Sequence, residues 1–151
     1  MANTPDLWPQ GIVTHRVQSP VAILRFQASL LGSKTSNLVQ AEVLGRNESA
    51  RFEYTLALVA PSLNRYTYQL LTIRHEIDLY PVQIDVEPTI LKELSSSVRT
   101  QTDMYDDEVI VAESEEEFID ILRRIFRSQK ASNVIASLMS QSDPDWVEFA
   151  F

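Results

Sequence analysis

Three neighbouring runs of alternating apolar and polar residues, at 51–60, 66–76 and 82–86, constrain the fold of this chain more than any other feature. In the first run every second residue from Phe52 to Leu58 is apolar. Successive side chains of a strand point to opposite faces of a sheet, so this spacing predicts strands with one buried face. Because only short turns separate the runs, we expect consecutive strands to pair as an antiparallel meander.

Weaker signals extend the predicted sheet at both ends. Residues 38–44 are rich in Val and Leu, and residues 108–112 have the composition of one more short strand. The total is about four to five strands. Residues 90–98 fit either one helical turn or a loop, and the polar, acidic stretch 99–107 is expected to be a mobile loop.

A helix is predicted before the sheet. Ser19 and Pro20 combine a capping side chain with a proline at the first helical position. Apolar residues then recur at helical spacing as far as Leu31. Gly32 is placed for a left-handed cap at the end of this helix.

Helices are also predicted after the sheet. Ser114 and Glu117 form a capping-box pattern ahead of apolar residues at helical spacing that end at Phe126. A second helical run over 134–139 is either a separate helix or a continuation of the first. Since a sheet with one apolar face needs helices to cover it, the predicted fold class is α+β, with an N-terminal helix, an antiparallel meander sheet and a C-terminal helix or helix pair on one face.

Length and composition indicate one domain over 1–151, with an N-terminal arm at 1–18 and an aromatic tail at 143–151. A chain of 151 residues, of which 44% are hydrophobic, suffices for a single core. It has no cysteine, no run of about 20 apolar residues that would span a bilayer, and no secretory signal pattern. These features predict a cytoplasmic protein without disulfides, thiolate metal sites or membrane contact.

The net charge of −8 is concentrated in the middle of the chain. Residues 76–120 contain fourteen acidic and two basic side chains, whereas residues 1–75 contain seven basic and four acidic ones. A field of negative sign repels phosphate backbones, so nucleic-acid binding is not expected. The layout instead suits mixed-charge pairing between proteins.

The segment Gly32-Ser33-Lys34-Thr35 is similar to the end of a phosphate-binding P-loop. A P-loop needs a strand, a glycine-rich turn and then a helix, whereas this segment contains an inserted serine and follows a predicted helix. We interpret it as a helix end with a polar turn, and we keep Lys34 as a candidate anion contact.

Acidic side chains between 76 and 87 suggest a divalent-metal site, because magnesium needs two or more converging carboxylates. Alternation places Asp85 and Glu87 on one strand face, opposite Ile84. A solvated sheet face accounts for this pattern, and a hydrated loop accounts for the acidic residues of 103–108. No metal or cofactor is therefore predicted.

His15 and His75 are the two histidines, and their separation of sixty residues is a weak signal for a metal or acid–base site. In a strand beside Glu76, His75 fits a surface or half-buried cross-strand pair. The candidate polar site consists of Arg25, Gln27, Lys34, His75, Glu76 and Asp78.

Aromatic residues near the end of the sequence are candidates for an interaction surface. Trp146, Phe149 and Phe151 either dock on their own domain or on a partner, since exposed aromatic side chains promote aggregation.

The pattern Ile23-Leu24-Arg25-x-Gln27-Ala28-Ser29-Leu30-Leu31-Gly32-x-Lys34-Thr35, together with Ile77-Asp78-Leu79-Tyr80-Pro81-Val82, resembles a group of small uncharacterised bacterial proteins that includes cyanobacterial ones. The similarity extends through the sheet and into the C-terminal helices. The group has no assigned activity, so the resemblance implies a bacterial cytoplasmic origin and contributes no functional residues.

These observations lead to three functional hypotheses. No catalytic motif has the local structure that its chemistry requires, so the first is a non-catalytic protein-interaction or regulatory domain that self-associates. The second is a divalent-metal-dependent hydrolase or nuclease that uses the acidic residues of 76–87. The third is a small-ligand pocket between the first helix and the sheet, lined by Arg25, Gln27 and Tyr80.

Overall fold

The computed structural model describes residues 3–12, 17–48 and 51–143. These residues form four α-helices, six β-strands and a short 3-10 helix at Pro61–Leu63. The helices are α1 (Pro20–Lys34), α2 (Pro88–Leu94), α3 (Glu115–Phe126) and α4 (Gln129–Ser142). The strands are β1 (Gln40–Glu48), β2 (Arg51–Ala60), β3 (Tyr66–His75), β4 (Val82–Val86), β5 (Arg99–Thr102) and β6 (Glu108–Ala112).

The strands form one antiparallel sheet in the order β1-β2-β3-β4-β6-β5. The first four strands are the meander predicted from the alternating runs. After β4 the chain passes through α2, and the β5–β6 hairpin returns so that β6 pairs with β4. Composition explains this order, because four of the five residues of β6 are buried and all four of β5 are exposed. The apolar strand occupies the inner position and the polar strand the edge.

Helices cover one face of the sheet, as the predicted α+β fold requires. Four residues of α3 are buried, and at the start of this helix the Ser114 hydroxyl accepts a hydrogen bond from the Glu117 N–H at 3.2 Å. Burying one large apolar side chain such as Phe118 contributes about 1.5–3 kcal/mol. The other side of the sheet carries Glu53, Arg74 and Asp85, and we call it the open face.

The strand β5 corrects the prediction of a mobile loop over 99–107. Its sequence Arg-Thr-Gln-Thr has no apolar alternation, and every side chain is exposed. The strand exists because its backbone pairs with β6, from Arg99 opposite Val111 to Thr102 opposite Glu108. Backbone pairing at an edge leaves no periodic signal in the sequence.

The end of α1 also differs from the prediction. The helix continues past Gly32 to Lys34, and the left-handed conformation is adopted by Ser36 (φ 53°) and Asn37 (φ 64°). The Gly32 carbonyl still accepts a hydrogen bond from the Asn37 N–H at 2.7 Å. The glycine thus contributes its carbonyl to the helix end while the polar residues that follow make the turn.

Within the described part of the chain, no helix combines the length and the apolar character needed to cross a membrane.

Candidate functional site

A polar cleft lies on the open face, between the β3–β4 loop and the β5–β6 turn. Its volume of about 540 Å³ is typical of small-molecule sites, which span ~300–1,000 Å³. Two guanidinium groups and four carboxylates contribute to its walls, so negative charge is in excess. These charged residues are Arg51, Arg74, Glu76, Asp78, Asp103 and Glu113.

Arg74 is the centre of the charge network in the polar cleft. The alternation of β3 turns it to the open face, where it is paired in register with Glu53 of β2. Its Nε donates to Glu53 Oε1 at 2.7 Å, and its Nη1 lies 3.5 Å from Asp85 Oδ2 and 4.0 Å from Asp103 Oδ2. Although burial favours the neutral form, the hydrogen bond and charge of Glu53 raise the pKa of Arg74 above its ordinary value. One cation therefore holds carboxylates from three parts of the chain.

Asp103 organises the turn between β5 and β6. Its Oδ1 accepts hydrogen bonds from the N–H groups of Tyr105 at 2.8 Å and Asp107 at 3.0 Å. The side chain is only 2% exposed, and its Oδ2 has no hydrogen-bond partner. The expectation that the acidic residues of 103–108 form a hydrated loop is therefore wrong for Asp103.

The same turn is held against the open face by contacts with two strands. The Arg51 Nη1 donates to Met104 Sδ at 2.8 Å, and the Arg51 Nη2 donates to Gln83 Oε1 at 3.1 Å. The guanidinium of Arg74 lies 6.0 Å from the centre of the Tyr105 ring, within the range of a cation–π contact. These contacts fix the turn as one wall of the polar cleft.

His75, the last residue of β3, is 6% exposed, so the surface or half-buried position predicted for it is wrong. Its ring stacks against Phe52 at 5.5 Å and Tyr54 at 6.1 Å between centroids. Its Nδ1 lies 2.6 Å from the Glu76 carbonyl oxygen, a contact that is favourable when Nδ1 carries the proton and donates. In that tautomer Nε2 is an acceptor, and it is buried without a partner.

Buried polar atoms without partners are concentrated in the polar cleft. Among the described residues, four buried side-chain atoms lack a hydrogen bond, and three belong to residues of the cleft: Arg74 Nη1, His75 Nε2 and Asp103 Oδ2. The fourth, Ser142 Oγ, is at the end of α4. An unpaired buried polar atom costs about 1–3 kcal/mol, and folded proteins pair nearly all of them. Arg74 Nη1 and Asp103 Oδ2 lie 4.0 Å apart and compensate each other's charge, whereas the alternation of β3 places His75 on the opposite side of the strand from Arg74.

Asp85 belongs to a compact carboxylate group with Asp103 and Asp107, in which one oxygen of each residue lies within 4.8 Å of the others. Burial raises the pKa of Asp85 above its ordinary value; Arg74 acts in the opposite direction, and the charges of Asp107 and Asp103 raise the pKa further. Glu76 and Asp78 line the polar cleft without belonging to this carboxylate group.

We expect the substitution Asp85→Asn to stabilise the protein at neutral pH. A carboxyl group whose pKa is raised on folding favours the folded state below its unfolded pKa, and this contribution is lost as the pH rises through the folded value. The neutral amide does not lose this stabilisation as the pH rises. The gain in the free energy of unfolding of the variant over the wild type should therefore disappear near pH 3.5, below the usual pKa of about 3.9 for Asp. Urea unfolding followed by circular dichroism at pH 7 and about pH 3.5 measures this difference.

The exposed residue Asp120 provides the control for this prediction. Asp120 pairs with Arg124 at 2.9 Å on the surface of α3, where both side chains are more than 40% exposed. We expect Asp120→Asn to give no gain in stability at pH 7. If Asp85→Asn is less stable than the wild type at pH 7, the assigned direction of the pKa shift is wrong.

The structure divides the candidate polar site between two places. His75, Glu76 and Asp78 line the polar cleft, together with Tyr80. The prediction that Tyr80 lines a pocket between the first helix and the sheet is wrong. Its hydroxyl donates to the Gln18 carbonyl at 3.1 Å, and burial, followed by the charge of Glu115, raises its pKa to about 12.

The remaining members of the candidate polar site are on α1. Gln27 lines a cavity between α1 and the sheet, as expected for the third hypothesis, and Lys34, the candidate anion contact, lines the same cavity. Arg25 is exposed and lines neither this cavity nor the polar cleft, so its predicted role in a pocket is wrong. His15, Trp146, Phe149 and Phe151 lie outside the described residues, and the predictions for them stay predictions.

Sequence reasoning missed Arg74 and Asp103 as site residues. Arg74 lies on the polar side of an alternating strand, where a charged side chain is ordinary. Asp103 is the first residue of a turn, a common position for Asp because its side chain accepts hydrogen bonds from following N–H groups. The signal that would have found either residue is the contact between them, which depends on strand order.

Comparison of the chain with family models, curated proteins and solved structures gives no match.

Proposed function

We propose that this chain is a non-catalytic regulatory domain that binds a small amine in the polar cleft. The observation that carries the proposal is the excess of carboxylates in the walls of that cleft, together with three buried polar atoms of its residues that lack a hydrogen bond. Two of them, His75 Nε2 in the tautomer described and Asp103 Oδ2, accept hydrogen bonds and need N–H donors. A primary ammonium group supplies three donors and a positive charge, which complements the excess of carboxylates.

The third atom, Arg74 Nη1, restricts the class of ligand that fits the polar cleft. Arg74 Nη1 donates a hydrogen bond, so a ligand that satisfies it must also offer an oxygen acceptor. An amine that carries a hydroxyl, carbonyl or carboxylate oxygen offers both N–H donors and an oxygen acceptor to the polar cleft. Amino alcohols and amino acids are the smallest members of this class.

The surroundings of His75 support binding more than nucleophilic catalysis. A general base activates a nucleophile through a direct hydrogen bond to a hydroxyl or thiol. His75 Nδ1 contacts the Glu76 carbonyl, and Nε2 has no side-chain hydroxyl partner among the described residues. The histidine is therefore arranged to accept a hydrogen bond from a ligand.

We expect the substitution Asp103→Asn to weaken amine binding at least about tenfold, because a hydrogen bond to a charged group contributes about 1.5–3 kcal/mol. The amide keeps an oxygen for the N–H groups of Tyr105 and Asp107, so the turn is preserved. It replaces the unpaired acceptor with an N–H donor and removes the negative charge. Isothermal titration with ethanolamine, lysine and spermidine measures the change, with acetate and glycerol as probes that lack an amine.

Asp106→Asn is the matched control, since it makes the same change of charge in the same turn. Asp106 is exposed and has a positive φ of 64°, a conformation that Asn tolerates well. We expect this variant to bind amines like the wild type. Equal losses in the two variants would indicate a general effect of charge, and no binding of any amine by the wild type would refute the proposal.

A divalent-metal site, as in a metal-dependent hydrolase, is the second candidate because Asp85, Asp103 and Asp107 converge. Arg74 weighs against it, since its Nη1 already lies 3.5 Å from Asp85 and 4.0 Å from Asp103. This guanidinium repels a divalent ion at those carboxylates about twice as strongly as a singly charged ammonium group at the same distance, because the Coulomb energy is proportional to the charge. Titration with magnesium, manganese and calcium separates the two candidates: metal binding that Asp107→Asn abolishes, without amine binding, would favour the metal site.

A further inference from the structure

A second cavity lies on the helix-covered side of the sheet, between α1, β2 and the α3–α4 pair. Its volume is about 320 Å³, at the small end of the range for ligand pockets. Its walls are largely apolar and include Leu56 and Leu58 of β2 and Phe126 of α3. Leu70 also lines it, at a point where β3 has one extra residue relative to β2. The bulge there accompanies the burial of both Leu70 and Leu71.

Two cations, Lys34 and Arg127, also line this cavity. Both side chains are exposed, and among the described residues neither has a carboxylate partner. Each lies at the C-terminal end of a helix, α1 or α3, where the helix dipole contributes about half a negative charge. Two full positive charges exceed this contribution, so the potential around the pair favours an anion.

We propose that this cavity binds a small amphipathic carboxylate, with its alkyl tail among the leucines and its carboxylate between Lys34 and Arg127. The apolar walls and the unpaired cations together match this class of ligand, because a neutral apolar ligand leaves the cations unused. A groove between α1 and α3 shares Lys34, Phe126 and Arg127 with the cavity. The carboxylate end of the site is therefore open to solvent.

The test is isothermal titration of the full chain with octanoate, with octanol as the uncharged match and acetate as the match without a tail. Octanoate should bind most tightly of the three. We expect the double variant Lys34→Gln/Arg127→Gln to weaken octanoate binding about tenfold and to leave octanol binding unchanged, since each charge-assisted hydrogen bond is lost. The control Arg25→Gln/Lys92→Gln removes two exposed charges from α1 and α2 that line neither cavity nor groove, and it should bind octanoate like the wild type.

A third variant tests the position of the tail. Ala28 is half-buried on α1 and lines the cavity, so Ala28→Leu should reduce its volume and weaken octanoate binding while the circular dichroism spectrum is retained. Failure of octanoate to bind, or equal affinity in the Lys34→Gln/Arg127→Gln variant, would overturn the proposal. Asp103→Asn should leave octanoate binding intact, so this result is independent of amine binding in the polar cleft.

Discussion

Replacement of Arg74 by methionine is expected to lower the free energy of unfolding by about 3 kcal/mol. Removal of one partner from a buried ion pair costs about 3–5 kcal/mol, because the remaining charge is left without compensation. The Arg74 side chain is 17% exposed, which places the expected loss at the lower end. Glu53, Asp85 and Asp103 would then repel one another in a partly desolvated site. Urea unfolding at pH 7, followed by circular dichroism, measures the loss.

Arg99→Met provides the control for this prediction, because Arg99 is also in a strand and also forms an ion pair. Its side chain is 63% exposed, and its 2.6 Å contact with Glu117 is on the surface. Exposed pairs contribute about 0–1 kcal/mol, so the control should lose less than about 1 kcal/mol. The double variant Arg74→Met/Asp85→Asn should recover part of the loss. A loss from Arg74→Met no larger than that from Arg99→Met would show that the network does not stabilise the fold.

The substitution Phe118→Ala is expected to cost about 4 kcal/mol, since truncation of a buried Phe typically costs 3–5 kcal/mol through lost transfer energy and the cavity left behind. Phe118 is fully buried on the inner side of α3, and its ring meets the Tyr80 ring edge-on, with 6.3 Å between the ring centroids. A loss of this size is a large fraction of the ~5–15 kcal/mol that stabilises a typical domain. Thermal and urea unfolding, followed by circular dichroism, give the measurement.

Ile119→Ala is the matched control, because it truncates the next residue of the same helix. Ile119 is 37% exposed and lines the groove between α1 and α3 rather than the core, so we expect its truncation to cost less than about 1 kcal/mol. Similar losses in the two variants would mean that α3 packs on the sheet through a different side.

Much of the fold was predictable from local sequence patterns. The alternation of β2 to β4 and the capping of α1 and α3 by Ser19 and Ser114 follow rules that act over a few residues. The strand β5 was not predicted, because its side chains are exposed and its stability comes from backbone pairing with β6. The pattern of side chains therefore does not predict an edge strand that is stabilised by backbone pairing.

The two candidate sites were predictable only in part. Their members on single elements, such as Lys34 on α1 and His75 in β3, are polar or charged residues that local reasoning can identify. Their partners are distant in sequence. Arg74 of β3 contacts Asp103 in the turn between β5 and β6, and Lys34 of α1 lines the same cavity as Arg127 at the end of α3. The burial of Asp103 follows from this packing, whereas the burial of His75 follows the alternation of β3, in which Leu71, Ile73 and His75 are all buried.

The amino-acid sequence by itself determined the α+β class, the meander and the placement of apolar residues on one side of each strand, because hydrophobic periodicity and end capping act within one element. Tertiary structure alone decided that β6 lies between β4 and β5, which folds the β5–β6 turn over Arg74 and brings Asp103 to Asp85. The physical reason is that electrostatic and hydrogen-bonding partners are selected by distance in space, and that distance depends on how the whole sheet pairs.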